Sequence, residues 1–463
     1  MEISIKNLGA LKEAYFTLGE LTIICGGNNT GKTYASHATY GFFDFLQSGW
    51  DLPVAPEVID VLFNDGSVSV PLQPFMENLQ EHLDKAAEVY SKNLFRIFAG
   101  KESLFEKASL RLLMKAEGLS AAKVRARLGS AGKSFLQILS SDDKTSLEIS
   151  LIVDKENENL PPRSFMESMI SRSIAAAVLG GVIPKPFLAS AERTGAAIFQ
   201  KELDFTKNRL VEMIGDKSSK LDPLQFLSKF SGEYSVAVRK NVDFIRDLPN
   251  VSKQESFILK NHPEILSSFD DIIGGEYKVN KDGEIQYIPS ANKRVKLSLA
   301  ESSSAVRSLL DIGFYLRHVA APGDLLMVDE PELNLHPDNQ RRVARLFSRL
   351  VDIGIKVFIT THSDYMIKEL NTLIMLHQGD ERLQALAERE HYDKTELLDP
   401  DKVRVYIAEE ALLKLSGSQR KTRCQTLVAA DIDRRYGIEA RSFDTTIEDM
   451  NRVQEEIVWG GDE

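Results

Sequence analysis

Residues 21–37 read LTIICGGNNTGKTYASH: an apolar run, Leu21 to Cys25, breaks into two glycines and two asparagines and closes with Thr30, Gly31, Lys32 and Thr33. Five uncharged, partly β-branched residues bounded by glycine predict a buried strand, and the residues after Thr33 are able to continue as helix. Gly26 to Thr33 fits G-x-x-x-x-G-K-[ST] in that strand–turn–helix context. Small residues let the backbone wrap closely around a triphosphate, with N–H groups pointing inward at a helix N-terminus whose dipole favours anions. Gly26, Asn28, Asn29, Thr30 and Gly31 are the candidate cradle. Lys32 would reach the β- and γ-phosphates as a point charge, and the Thr33 hydroxyl would take one ligand position on an octahedral Mg²⁺. ATP with Mg²⁺ is therefore the implied ligand. A Gly/Asn-rich turn that happens to end in Lys-Thr is the alternative for so short a string. Cys25 reads more simply as a buried strand residue than as a reactive thiol.

The rest of the chain decides between these readings. Residues 324–337, DLLMVDEPELNLHP, run apolar from Leu325 to Val328 and then present Asp329 and Glu330 side by side. A buried parallel strand reads this way, with acidic groups emerging at the carboxyl end, where α/β sheets bind ligands. Asp329 would hold Mg²⁺ directly or through water, and Glu330 would polarise an attacking water toward the γ-phosphate. A helix-like run, DNQRRVARLFSRLVDIG, leads to another apolar strand, KVFITTHSDYM, which exposes His362 at its end. A lone histidine there is more often structural than catalytic. Its order after the two acids gives it weight, because strand, phosphate loop, strand-Asp-Glu, helix and strand-His form a consistent set.

Composition sets the outer bounds. At 463 residues and 43% hydrophobic content the chain is long enough for two or three lobes. Net charge is −11, so nucleic acid would need a local basic patch. Two cysteines, Cys25 and Cys424, cannot make a disulfide framework or a four-thiolate zinc site, which fits a reducing cytoplasm. No window resembles a signal peptide or a membrane span, so the expected location is cytoplasmic, with no membrane partner.

These residues resemble the ABC-type ATPase heads of the SMC, RecF and OLD kind, found in bacterial AAA-type proteins. The start, ISIKNLGALKEAYFTLGELTIICGGNNTGKT, is similar to their N-terminal antiparallel β-meander leading into Walker A; LLMVDEPELNLHP resembles Walker B with its D-loop at Leu335, His336 and Pro337; ITTHS resembles the switch histidine. The resemblance covers both ends of the head well and the middle poorly. It implies that LSLAESSSAVRSLLDIGFYLRH holds the signature helix, whose serines meet the nucleotide of a second subunit, so that a homo-oligomer forms, at least a dimer of heads. Ser302, Ser303 and Ser304 are candidates, with Ser303 and Ser304 as the phosphate contacts and Arg307 one turn on; Ala305 stands where the family commonly has glycine. A serine-rich helix cap explains the same serines without nucleotide. PFLASAERTGAAIF is in the region that leads to a Q-loop in related heads. It has no glutamine, and Ser190, Glu192 and Arg193 are the substitutes, an Arg-Glu ion pair being the structural alternative. The resemblance further suggests the sensor ATPase of an anti-phage defence system of the PARIS or Septu type, working with a separately encoded effector. The competing readings are an OLD-like nuclease and a RecF-like DNA-repair ATPase.

The expected fold is α/β: residues 1–45 as the first part of the head, 46–180 as a mainly helical insertion with one hairpin, 181–275 as a Q-loop-like strand and helical segment, 276–378 as the second part of the head, and 379–463 as a small α/β tail for partner docking. FMENLQEHLDKAAEVYSKNLFRIF, SFMESMISRSIAAAVL and IFQKELDFTKNRLVEMI read as helices without sustained heptads, excluding a long coiled-coil arm; SFLQILSSDDKTSLEISLIV and EYKVNKDGEIQYIP read as hairpins. Lys107 to Lys133 and QRRVARLFSRL concentrate positive charge. As helices they would line a groove for DNA or form solvated faces; both readings stand for the first run, and the solvated face is favoured for the second. In the tail, Glu409 or Glu410 with Asp431 and Asp433 would mimic a Toprim metal set, but their spacing is short for the intervening fold.

Overall fold

A computed structural model describes residues 1–114, 120–130, 133–152, 162–198, 234–416, 418–438 and 450–457. The chain divides into two compact units, one of residues 1–4, 38–94 and 108–186, the other of residues 5–37, 95–107 and 187–463. The architecture is mixed α/β, as expected.

The second unit is built on a six-stranded sheet. Its order is Lys421–Ala429, Val403–Lys414, Leu21–Cys25, Lys356–Thr361, Leu325–Asp329, Pro186–Ala189. The strand Leu21–Cys25 pairs parallel on both sides, with Val403–Lys414 and with Lys356–Thr361, and the latter pairs parallel with Leu325–Asp329. Every residue of Leu21–Cys25 and of Leu325–Asp329 is buried, the pattern of strands covered on both faces. In register, Cys25 lies beside Thr361 and Asp329 beside Thr360. The three strands therefore end flush, and the loops leaving their carboxyl ends emerge together.

Helices of apolar periodicity complete this core. Pro337–Asp352 buries Val343, Ala344, Phe347, Leu350 and Val351, which recur on one helical face. Its arginines occupy another face: Arg341 and Arg345 meet the buried Glu369 at 2.6 and 2.5 Å, and Arg349 meets Glu396 at 2.9 Å. The second basic run is thus an ion-paired helix face rather than an open groove. The hairpin Gly275–Val279 with Ile285–Pro289 forms as read, its turn holding Gly283 at φ +81°.

Two expectations need correction. Residues 379–463, read as a tail outside the head, put Val403–Lys414 into the sheet beside the phosphate-loop strand. Its neighbour Lys421–Ala429 lies against the N-terminal strand Leu11–Thr17, where the Thr426 hydroxyl donates to the Glu13 carbonyl at 2.6 Å. The run VRVYIA is apolar enough for a central strand, but nothing local says which strand it joins.

The first unit, read as mainly helical, contains a four-stranded antiparallel sheet ordered Ser67–Pro71, Ser146–Leu151, Lys133–Ser140, Arg125–Ser130. Leu136, Ile138, Leu147 and Ile149 are fully buried in it, alongside the helices Pro56–Asp65 and Arg163–Gly180. The hairpin around Ser-Asp-Asp is present; the basic run before it, expected as helix, is the strand Arg125–Ser130 instead, because its alternation has period two. Arg111, in the same stretch, lies on the strand Ser109–Leu113 and makes a bidentate pair with Asp84 of the helix Leu79–Lys92, at 2.8 and 2.7 Å. Of the segment expected as helix from Ile198 onward, residues 199–233 fall outside the described residues. Among the described residues no helix is long and apolar enough to cross a membrane.

Candidate functional site

Cys25 ends the central strand fully buried, its thiol pushed up to about 12 by burial, which makes it inert as a nucleophile. The chain then turns through Gly26 at φ +137°, Asn29 at +62° and Gly31 at +98° into the helix Lys32–Ser48. Two of these glycines are required by crowding as well as by angle. A Cβ on Gly26 would stand 2.7 Å from the Ala408 carbonyl, and one on Gly31 2.7 Å from the Leu11 side chain. Gly27 differs: a Cβ there would meet only the Thr30 methyl, at 3.9 Å, and Gly27, Asn28 and Asn29 are exposed. The loop is packed on its inner side and open on its outer side, which is the form a phosphate cradle needs.

Lys32 folds back into this loop. Its ammonium donates to the Gly26 and Gly27 carbonyls at 2.9 and 2.7 Å, and burial lowers its pKa against the pull of Glu330, Glu332 and Asp329. The sequence thus brings its candidate cation into the field of its candidate acids. Thr33 is exposed on the first turn of the helix.

Asp329 is 1% exposed and accepts three hydrogen bonds, which leaves Oδ2 with a free lone pair. Ser36 and Thr360 hydroxyls reach Oδ1 at 2.7 and 2.9 Å, and His37 Nε2 reaches Oδ2 at 2.6 Å. Burial works against its ionisation, but the His37 charge and these hydrogen bonds hold its carboxyl below the usual carboxylate range. His37 is pulled the other way: burial disfavours its charge, and Asp329 raises its pKa above the usual imidazole value. Ser36 and His37 were not singled out by sequence reasoning. Their spacing of three and four residues from Thr33 puts them one turn further along the same helix, a signal visible only once Asp329 is known to face it.

Glu330 follows at φ +47°, its amide donating to the Thr360 carbonyl at 2.9 Å. His362 Nδ1 stands 3.7 Å from Glu330 and 3.3 Å from Glu332. Glu332, also overlooked, is 6% exposed and accepts from the Thr361 hydroxyl and the His362 amide, both at 2.8 Å. Beyond it, His336 caps the helix Pro337–Asp352 by accepting from the Asp338 amide, and Ser363 caps the helix Asp364–Leu376.

Arg193 is not the partner of Glu192, which is exposed. Its guanidinium is wholly buried and donates to four carbonyls: Ser308 and Asp329 at 2.6 Å, Ser190 at 2.8 Å and Glu330 at 2.9 Å. Ser303 caps the five-residue helix Ser304–Ser308 through the Val306 amide at 3.3 Å, Ser304 opens that helix exposed, and Ser302 donates to the Ser298 carbonyl at 2.7 Å. Arg307 turns back onto the Leu299 and Ser302 carbonyls.

The tail acids are used differently. Glu410 pairs with Arg423 at 3.1 Å, and Asp433 caps its own turn through the Arg435 and Tyr436 amides. Among the described residues no group of three or more His, Cys, Asp or Glu side chains is placed to hold a metal, so the Toprim-like set is not assembled there. At the phosphate loop, the open outer face would admit a triphosphate, and the Asp329 carboxylate, held below the usual carboxylate range, would offer an oxygen to a Mg²⁺ ion brought in with it.

Residues 1–367 match the family model described as AAA ATPase domain. No curated protein matches the chain. Similar solved structures include an SMC head bound to the C-winged helix domain of ScpA, with 12% identity, 92% of this chain and 97% of that one covered, and a TM-score of 0.34. The SMC head domain from Thermotoga maritima is 11% identical, with 93% and 98% covered and a TM-score of 0.29. The Smc head domain with an extended coiled coil, bound to the C-terminal domain of ScpA derived from Pyrococcus furiosus, gives 12%, 98% and 98%, and 0.32. Scores this low carry no inference about the present chain.

Proposed function

We propose that this chain, which belongs to the AAA ATPase domain family, is an ATP-binding and ATP-hydrolysing switch that acts through nucleotide-dependent association of its heads. The observation that carries the reading is the flush ending of three adjacent parallel strands, which brings the Gly26–Thr33 loop, Asp329 with Glu330, and His362 to one edge of one sheet. Lys32, withdrawn onto two loop carbonyls, is the charge for the β- and γ-phosphates. Thr33 and Asp329 would hold Mg²⁺, which supplies charge neutralisation between phosphate oxygens when bound. Glu330 is the base for the attacking water, and His362, beside it, meets the terminal phosphate. Ser303 and Ser304, exposed at the start of their helix, are the groups available to a second copy's nucleotide.

Three measurements test this. Lys32→Ala should lose binding of a fluorescent ATP analogue; retained affinity would refute the cradle. Glu330→Gln should bind ATP yet turn over at least about 100-fold more slowly, in line with the loss of a general base; undiminished turnover removes Glu330 from that role. Sedimentation of Glu330→Gln should shift from monomer to dimer on adding ATP and Mg²⁺, and Ser303→Arg should block the shift.

The finer reading makes this switch the sensor of a bacterial anti-phage defence system with a separate effector protein. Its support is analogy: the Walker B, D-loop and switch-histidine residues resemble those of SMC, RecF and OLD heads, and the defence role extends that resemblance. Pull-down of the native complex from infected and uninfected cells, with mass identification of the co-purifying chain, tests it: a nuclease or other toxic effector supports it, and a DNA-repair partner favours the RecF-like alternative.

A further inference from the structure

Glu332 lies two residues beyond Glu330, in the turn between the strand Leu325–Asp329 and the helix Pro337–Asp352. A carboxylate buried this deeply gives up most of its hydration and needs donors on both oxygens to recover it. Glu332 has them on one only. Its Oε1 accepts from the Thr361 hydroxyl and the His362 amide at 2.8 Å, while Oε2 has no hydrogen-bond partner among the described residues. The imidazole of His362 closes on the same side, with Nδ1 nearer to Glu332, at 3.3 Å, than to Glu330, at 3.7 Å. One carboxylate thus grips the histidine by its main chain and faces its ring.

We propose that Glu332 is a positioning residue: it clamps His362 by backbone and ring together, turns Nδ1 toward the acidic turn, and leaves Nε2 as the nitrogen that meets the terminal phosphate. The proposal rests on the role of His362 given above. What one imidazole nitrogen bonds to fixes what the other offers, so a carboxylate on the Nδ1 side selects the state of Nε2. Glu330, relieved of orienting the ring, keeps its carboxylate for water. Two acids two residues apart therefore divide the work, one on the water and one on the histidine.

Glu332→Gln keeps the shape and the acceptor for Thr361 and the His362 amide but removes the charge facing Nδ1. Turnover should fall about 10- to 100-fold, the usual loss when an orienting partner is removed, with ATP affinity unchanged. In a His362→Ala background the same substitution should add little, because the two residues act as a unit. Wild-type turnover in Glu332→Gln, or losses that multiply, would overturn the proposal. A second readout does not need turnover: ¹⁵N imidazole shifts of His362, assigned by their loss in His362→Ala, should report in the wild type a ring that carries a proton on Nδ1, facing the carboxylates, as well as the Nε2 proton that donates to phosphate, and in Glu332→Gln a ring that has lost the Nδ1 proton. Unchanged ring shifts would sink the clamp while leaving the ATPase reading intact. An intact ring response in a protein that hydrolyses no ATP would count against the ATPase reading alone.

Discussion

Glu330 sits at φ +47°, a conformation that costs a non-glycine residue about 1–2 kcal/mol. Its neighbours hold it there: the Thr360 carbonyl takes its amide, and Arg193 takes its own carbonyl. Arg193 is accordingly the residue on which the geometry of the acidic turn depends, since it also binds the Asp329, Ser308 and Ser190 carbonyls. Arg193→Met would remove the side-chain donor from four buried carbonyls, of which Ser190 keeps the backbone amide of residue 193, and a buried acceptor left unpaired costs about 1–3 kcal/mol. The variant should therefore lose at least about 3 kcal/mol in a urea titration. Arg193→Lys should recover only part of it, because an ammonium cannot reproduce the planar fork. A variant as stable as the wild type would show that these carbonyls find other donors.

The helical segment Leu310–Phe314 carries a second buried ionisable group. Asp311 is 1% exposed, one oxygen has no hydrogen-bond partner among the described residues, and burial, opposed by the Arg193 charge, pushes its carboxyl up to about 7. The unfolded chain ionises near the ordinary carboxylate value, about 4, so between there and about 7 the unfolded state releases a proton that the folded state keeps. Stability is therefore greatest below pH 4 from this group, falls as pH rises through that window, and levels off above it. Asp311→Asn should flatten the fall; a urea midpoint with the same pH slope in both proteins would refute the assignment. The helix Pro337–Asp352 illustrates how an element's charge misleads in isolation. Its arginines looked like a solvated or DNA-facing stripe, and they are anchors onto Glu369 and Glu396.

For the molecule as a whole, the decisive feature is that the chain returns after some four hundred residues to flank its own phosphate-loop strand. Val403–Lys414 covers one edge of Leu21–Cys25, and its Ala408 carbonyl presses on Gly26. Truncation after Gln378 would make the five-residue, fully buried strand Leu21–Cys25 the open edge of the sheet, a template for aggregation. Such a protein should express insolubly and lose nucleotide binding even though every phosphate-loop and acidic motif residue is present. A soluble truncated chain with normal affinity for an ATP analogue would contradict this. Gly26→Ala, which drives a methyl against the same carbonyl, should give a milder loss of affinity in the full-length protein.

The sequence by itself determined the strand–loop–helix at Gly26–Thr33, the acidic strand end at Asp329 and Glu330, the histidine at the end of its own strand, and the turn chemistry of the hairpin at Gly283. Each is written in local periodicity, glycine placement or charge order. The insertion was legible only in part, because a basic strand such as Arg125–Ser130 has the composition of a solvated helix, and its period is short. Tertiary structure alone decided that Ser36, His37 and Thr360 converge on Asp329, that Arg193 binds four carbonyls, that Glu332 holds His362, and that the supposed tail is a strand of the central sheet. Those outcomes join residues tens to hundreds of positions apart, and no local pattern encodes which buried strand pairs with which; hydrogen-bond satisfaction in the packed interior does.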